Sequence, residues 1–240
     1  IERTAIPATG DLPMTPIMLG MVAQGGDWSR FQQSVLLELP ATDPESLSAA
    51  LADLIAHHPI LSARVINESA LHVPETPDTR DILTLIEIET VTGGEWDIRL
   101  KSAAEDAASR LDPDQGRLLQ ATLFRNTDGD TRLLLTIHHL AVDGVSWRIL
   151  LPDLVEALAA RQVGKVADLA PVPTAFREWA LDLSGAARDR VGQLPFWQSL
   201  VAKHRQPLAA RPLDPAKDCF RTQSLLHVAL DTTTTESLIT

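Results

Sequence analysis

The sequence predicts an α/β protein of the α+β kind, in which a mixed β-sheet is packed with helices. Strand-like and helix-like segments alternate along the chain, and two of the strands, 117–125 and 131–138, are joined by a turn at Asp128-Gly129. Asp-Gly between apolar runs is a strong hairpin signal. A hairpin within an alternating chain favours a mixed sheet over a regular parallel one.

The individual elements follow from side-chain periodicity and from the prolines and glycines between them. Residues 33–39 are rich in branched apolar side chains, as in a strand. The next helix has Pro44 in its first turn and runs, with apolar residues at three- and four-residue spacing, to His57-His58-Pro59. The other predicted strands are 61–66, 70–74, 82–89 and 221–230, and the other predicted helices are 97–110, 145–160, 174–190, 192–203 and 233–240.

The composition is that of an ordinary globular protein, with 45% hydrophobic and 22% charged residues among 240. The 21 basic and 32 acidic residues give a net charge of −11, which argues against nucleic-acid binding and against an anionic membrane surface. One cysteine excludes an internal disulfide. No apolar run approaches the roughly 18 residues of a membrane span, and the first residues lack signal-peptide features. We therefore expect a cytoplasmic protein.

The chemically most informative segment closes the second strand of the hairpin. His138 and His139 are followed by Asp143-Gly144 and then by a helix. Neighbouring side chains on a strand point to opposite faces, so the two histidines cannot share one task. A positioned imidazole can exchange a proton near neutral pH. On residue types alone, however, structural histidines explain the pair slightly better than catalysis, and no cysteine or carboxylate cluster with metal spacing accompanies them.

The residues beside this histidine pair leave two interpretations open. Asp143 can orient an imidazole, or it can pair with an arginine and lock the loop. Gly144 permits a tight backbone passage from the strand to the helix. His57-His58 is interpreted as a polar helix C-terminus rather than a catalytic pair.

The segment His138–Gly144, His-His-Leu-Ala-Val-Asp-Gly, matches the HHxxxDG motif of condensation-type domains in nonribosomal peptide synthetases. These domains share the chloramphenicol-acetyltransferase fold. The resemblance extends over nearly the whole chain, and its further segments occur in the family's order. These segments are 33–39 with 57–61, then 111–113 with 116–119 and ending at 123–124, then Phe176-Arg177-Glu178-Trp179-Ala180, and finally Pro195-Phe196-Trp197.

The residues after the motif point to one subgroup. Asp143–Leu150 resembles the DGVSWRIL of epimerization domains, whereas peptide-bond-forming domains more often carry an aromatic residue directly after the glycine. The resemblance therefore implies epimerization of the α-carbon of an aminoacyl or peptidyl thioester by proton abstraction and return. A condensation domain that forms a peptide bond is the first alternative, and a non-catalytic module that docks a carrier protein is the second.

The resemblance also implies roles for individual residues. His139 is expected to be the general base or acid, with His138 facing away and supporting the loop. Asp143 is expected to orient the motif by pairing with Arg64 or Arg148, and Gly144 completes the motif. The residues that follow, Ser146 and Trp147, are expected to contact substrate, and no metal is expected.

The family's architecture supplies further expectations. Its domains have two lobes with a tunnel between them, into which a peptidyl carrier protein delivers a phosphopantetheine-bound substrate; no other cofactor is implied. Residues 1–240 are expected to be the N-terminal lobe, with about the last 20, 221–240, beginning the crossover to a C-terminal lobe. That lobe would supply a catalytic glutamate, so activity is expected to need both lobes, and the adjacent synthetase modules are expected partners.

One segment departs from the family's pattern. Thr15-Pro16-Ile17 is usually followed by glutamine and aromatic residues, but here Met18-Leu19-Gly20-Met21 follows. The resemblance places this segment beside the tunnel, so the departure is expected to alter substrate fit without removing the proposed base.

Overall fold

The computed structural model describes most of the chain. The described residues are 6–88, 93–126, 131–203, 211, 214, 216–218, 222–224 and 226–239. Within them lie the strands β1 (Gly10–Pro13), β2 (Gln32–Leu39), β3 (Arg64–Asn67), β4 (Ala70–Val73), β5 (Leu83–Ile88), β6 (Leu119–Asn126) and β7 (Thr131–His138). The helices are α1 (Pro16–Gln24), α2 (Pro44–His57), α3 (Gly93–Arg110), α4 (Trp147–Gln162), α5 (Phe176–Asp189), α6 (Leu194–Lys203) and α7 (Thr232–Ile239).

The larger sheet has the order β2-β7-β6-β5. β7 pairs antiparallel with both β2 and β6, whereas β5 and β6 are parallel. The sheet is therefore mixed, as the sequence predicts. The antiparallel pairing of β6 and β7 confirms the predicted pair of strands, although the turn residues 127–130 lie outside the described residues.

Helices cover both faces of this sheet. Alternate residues of β6 and β7, such as Leu123 and Leu135, pack with α2 and α4 in the main apolar cluster. The intervening residues, such as Phe124 and Leu134, pack with Ala103 of α3 on the opposite face. The period of two along each strand thus determines which helix each side chain meets.

A smaller antiparallel sheet, with the order β1-β4-β3, packs with residues of α1 and α5. Leu12, Leu71 and Leu118 belong to its apolar cluster, which also contains Leu140 of the histidine-containing loop. This second cluster therefore supports the segment that follows β7.

Two predicted strands differ from the structure. The region 61–66 begins as a 3-10 turn at Pro59–Ser62, and β3 starts only at Arg64. Pro59 explains this difference. Its fixed φ suits the first turn of a helix, and without an N–H it cannot donate a hydrogen bond to a neighbouring strand. The described residues of 221–230 form no strand: Leu226 and Val228 are exposed, and no strand among the described residues pairs with them.

No helix among the described residues combines the length and the apolar character that crossing a membrane requires.

Candidate active site

The two adjacent histidines occupy different environments. The side chain of His138 is completely buried. Its Nε2 lies 2.9 Å from the carbonyl oxygen of Trp28, and its Nδ1 accepts a hydrogen bond of 3.1 Å from the backbone N–H of Leu140. Because Nδ1 accepts, Nε2 must carry the proton and donate to Trp28. His138 is therefore a neutral structural bridge between two loops.

Burial is the main reason that the pKa of His138 lies below its usual range. Its hydrogen bond to the Trp28 carbonyl opposes this effect only in part. The ring of Trp28 also meets the imidazole edge-on, with centroids 5.8 Å apart. His138 thus resists protonation and joins the loop after β7 to the segment at Trp28.

His139 is half-buried and lines a cavity. Its backbone N–H donates to the carbonyl of Phe31 at 2.8 Å, and its imidazole stacks on the Phe31 ring with centroids 4.7 Å apart and planes inclined by 14°. Its Nε2 lies 3.1 Å from the side-chain nitrogen of Gln33. The strand end and the stacked ring together fix the imidazole's position, which is what proton transfer requires of a base.

The cavity beside His139 has a volume of about 900 Å³. Its walls come from α1, the end of α2, the loop after β7, the start of α4 and the start of α5. Most lining side chains are apolar, and Ile17, Met18 and Met21 of α1 are among them. The segment that departs from the family's pattern therefore forms part of the cavity wall.

Asp143 organises the turn that precedes α4. Its Oδ1 accepts hydrogen bonds from the backbone N–H groups of Val145 and Ser146 and from the Ser146 hydroxyl, at 2.8–2.9 Å. The hydrogen bonds from Ser146 hold the pKa of the Asp143 carboxyl below its usual range. This is the chemistry of a helix cap, in which a short acidic side chain accepts from free backbone donors.

The expected pairing of Asp143 with an arginine does not occur among the described residues. Arg64 on β3 and Arg148 on α4 are both exposed, and neither forms an ion pair with Asp143. The local donors of Val145 and Ser146 occupy the carboxylate oxygen instead. A cap within three residues needs no long side chain to be ordered, so it is the less costly arrangement.

The other motif residues divide between the cavity and the interior. Ser146 lines the cavity, whereas the Trp147 indole packs against the main apolar cluster and its Nε1–H donates to the Gln33 side-chain oxygen at 2.8 Å. A Cβ at Gly144 would meet no atom within 4 Å, so no described neighbour explains glycine there.

A second group of titratable residues lies at another wall of the cavity. His58 Nε2 is 2.6 Å from Asp153 Oδ2, and His57 Nε2 is 3.0 Å from the carbonyl oxygen of Ala170. Burial lowers the pKa of His58, and its hydrogen bond to Asp153 opposes the change. Potential ligand atoms of His57, His58 and Asp153 lie within 4.8 Å of one another, but both histidines already have protein partners. The structure thus assigns them to linking α2 to α4 and to the loop at Ala170.

Three residues that the sequence patterns do not single out, Gln33, Phe31 and Trp28, contact the histidine pair. Gln33 had a readable signal, because it lies on the same face of β2 as Val35, Leu37 and Leu39, whose side chains pack against the main apolar cluster. A polar side chain in such a position needs a partner. Phe31 and Trp28 precede β2 in an irregular segment, where no periodicity marks them.

Comparison with known proteins identifies the class to which this arrangement belongs. The family model described as "Condensation domain" matches residues 21–240, so the chain belongs to the condensation domain family. Its fold is accordingly chloramphenicol-acetyltransferase-like, as the resemblance predicted.

Individual relatives agree with this assignment. A region of a linear gramicidin synthase from Brevibacillus parabrevis is 33% identical over 212 residues, which is 86% of this chain and 3% of that protein. The crystal structure of the epimerization domain from the third module of tyrocidine synthetase B matches with a TM-score of 0.69 and 25% identity, over 88% of this chain and 48% of that one. The X-domain from teicoplanin biosynthesis matches with a TM-score of 0.66 and 25% identity, over 82% and 44%. The chain thus spans about half of the solved structures it matches and a small part of the synthase.

Proposed function

We propose that this chain is the N-terminal lobe of an epimerization domain in a nonribosomal peptide synthetase. Its substrate would be an aminoacyl or peptidyl thioester bound to a carrier protein, and it would invert the α-carbon. The observation that carries the proposal is the imidazole of His139, which is held against Phe31 at the wall of a 900 Å³ cavity. The segment Asp143–Leu150 and the likeness to a solved epimerization domain support it.

In the proposed reaction, His139 removes the α-proton and the C–H electron pair becomes an enolate on the thioester. A proton returned to the other face of the carbon restores the thioester with inverted configuration. Atoms and charge balance without a metal or a redox partner. The group that serves the other face is expected, from the resemblance, to be a glutamate of the second lobe.

The neighbouring residues position this base. His138 joins the segments at Trp28 and Leu140 and so fixes the strand end that carries His139. Asp143 and Ser146 order the turn that leads from the histidine loop into α4, and both residues line the cavity. In the proposal Ser146 is a substrate contact, and Gly144 leaves open space beside the motif.

The proposal includes a second lobe and a carrier protein as partners. Phe196, Trp197 and Val201 of α6 are large apolar side chains with exposed fractions of 61%, 53% and 73%, as expected of a surface that another lobe covers. The largely apolar cavity suits a pantetheine arm, which enters as part of the substrate. Residues 221–240 would begin the crossover, and a synthetase of this kind would work in the cytoplasm.

A condensation domain is the second candidate, because the family model that matches the chain carries that description. There His139 would assist an attacking amine instead of removing an α-proton. The two reactions differ in whether the α-hydrogen exchanges with solvent, so an isotope experiment separates them.

The experiment uses the full-length protein that contains this chain and a carrier protein loaded with an L-aminoacyl thioester in deuterated water. We expect deuterium at the α-carbon together with the D-isomer. A dipeptide formed with a second loaded carrier, without α-exchange, would instead assign condensation. Carrier binding with neither product would identify a docking module and refute both catalytic assignments.

A further inference from the structure

Gln33 lies where it can act on His139. In the register of β2 and β7, Gln33 is opposite Ile137, and His139 is two residues further along the same chain. Diagonal neighbours of this kind lie within reach of long side chains on an antiparallel pair. The Gln33 amide is accordingly 3.1 Å from His139 Nε2 on one side and 2.8 Å from Trp147 Nε1 on the other.

The chemistry of these three groups determines the orientation of the amide. An indole nitrogen can only donate, so the group facing Trp147 must be the Gln33 oxygen. The amide NH₂ then faces His139, and because it can only donate, His139 Nε2 must accept. The neutral imidazole of His139 therefore carries its proton on Nδ1. The orientation follows from donor and acceptor chemistry and not from the placement of the amide atoms.

We infer that Gln33, oriented by Trp147, is a positioning residue that holds His139 in the neutral Nδ1–H tautomer, with its lone pair on Nε2. Free neutral histidine carries its proton mainly on Nε2, so the network selects the less common form. The consequence for proton transfer rests on the proposed function, whereas the tautomer itself does not.

The network also determines which groups a second proton on the His139 ring would meet. A second proton on His139 has to go to Nε2, where it would face the donor NH₂ of Gln33. Rotating the amide to offer its oxygen would turn the NH₂ towards the Trp147 N–H, which is also a donor. Uptake of a proton at Nε2 therefore requires the Gln33 amide to give up its hydrogen bond to His139.

The titratable neighbours do not reverse this selection. His138 is buried and neutral, with both ring nitrogens occupied by backbone groups. The Oδ1 of Asp143 is occupied by the turn that precedes α4. Among the described residues, Gln33 is the group that makes a hydrogen bond with the His139 ring.

The test is two-bond ¹H–¹⁵N NMR of the chain with ¹⁵N-labelled histidine at pH 8, with the His139 signals assigned by their loss in His139→Gln. We expect Nδ1–H for His139 and Nε2–H for His138. Gln33→Glu replaces the NH₂ by a second acceptor, so it should convert His139 to Nε2–H or to the imidazolium. Gln32→Glu, on the opposite face of β2, is the matched control and should leave Nδ1–H unchanged.

An Nε2–H signal for His139 in the wild-type protein would overturn the inference, as would an unchanged Nδ1–H in a folded Gln33→Glu variant. If that variant does not fold, Gln33→Met provides the same test, since losing the donor should give a mixture of tautomers. Failure of the proposed function is recognised separately. An Nδ1–H signal for His139 in a protein that does not exchange the substrate's α-proton would support the network and reject the epimerase. An Nε2–H signal in a protein that does exchange it would reject the network and support the epimerase.

Discussion

At the scale of single residues, two identical side chains next to each other in sequence have opposite properties. His138 is buried and satisfied by two backbone groups, whereas His139 is half-buried against a cavity and faces a side-chain network. Strand geometry predicts that they differ. It cannot predict which one meets the cavity, because that depends on Trp28, Phe31 and the path of the following loop.

The buried histidines give the stability a pH dependence. His138 and His58 both have pKa values lowered mainly by burial, from the 6.5 of the unfolded chain. As the pH falls through 6.5, the unfolded state binds protons that the folded state does not bind, so the free energy of unfolding must decrease. We expect it to be higher at about pH 8 than at about pH 5.5 in urea titrations followed by circular dichroism.

Substitution separates the contribution of His138. In glutamine the acceptor oxygen and the donor NH₂ do not take the places of Nδ1 and Nε2 on the rigid imidazole, so His138→Gln should lower the unfolding free energy at pH 8 by about 1–3 kcal/mol. It should also reduce the difference between pH 8 and pH 5.5. His227→Gln, at an exposed position, should change neither quantity. An unchanged pH dependence in His138→Gln would contradict the buried neutral state.

At the scale of elements, the turn before α4 depends on Asp143. Asp143→Ala removes the acceptor of three hydrogen bonds and should lower the unfolding free energy by about 1 kcal/mol. Asp143→Asn keeps an acceptor oxygen, so it should lower the unfolding free energy by less. Urea titrations of the two variants distinguish the two roles of Asp143. Equal losses of unfolding free energy in both variants would show that its charge matters, and not its hydrogen bonds.

The turn before β6 depends on Gly116. Its φ is +74°, and an added Cβ would lie 2.7 Å from the carbonyl oxygen of Ser62. Gly116→Ala should therefore destabilise the fold by about 2 kcal/mol or more. Gly185→Ala in α5, where a Cβ meets nothing within 4 Å, should be neutral or slightly stabilising. Thermal unfolding of both variants provides the comparison, and equal midpoints would contradict the contact.

The elements also differ in how far the sequence alone predicts them. α2 and the strands β6 and β7 were predictable because local periodicity and turn residues alone specify them. The 3-10 turn at Pro59–Ser62 and the start of β3 were not predictable in this way. A short apolar segment fits either a strand or a helical turn, and Pro59 favours the turn. The network at Gln33 needs the pairing register of β2 and β7, which no local pattern contains.

At the scale of the whole molecule, the cavity gives His139 its proposed role. It is enclosed by segments from the first helix to the fifth, so the sequence could supply candidate residues but not the space between them. Under the proposed function, the aliphatic residues of α1 at this wall contribute to the choice of substrate.

This space can be reduced without touching the histidine. Gly20 of α1 lines the cavity, and a Cβ there meets nothing within 4 Å. Gly20→Phe should raise the KM for carrier-bound substrate in the full-length protein, because the larger side chain occupies part of the cavity. Gly185→Phe, which lies outside the cavity lining, should not. A KM for Gly20→Phe equal to that of the wild type would show that the substrate does not pass this part of the cavity.

The role of His139 is tested most directly by the initial rate of α-deuterium incorporation into a carrier-bound L-aminoacyl thioester by the full-length protein with His139→Gln. Loss of a general base typically costs about 10²–10⁴-fold, so we predict a rate at least about 100-fold below wild type. His227→Gln, the same change at an exposed histidine, should retain the wild-type rate. Incorporation by His139→Gln at the wild-type rate would contradict the assignment of His139 as the base.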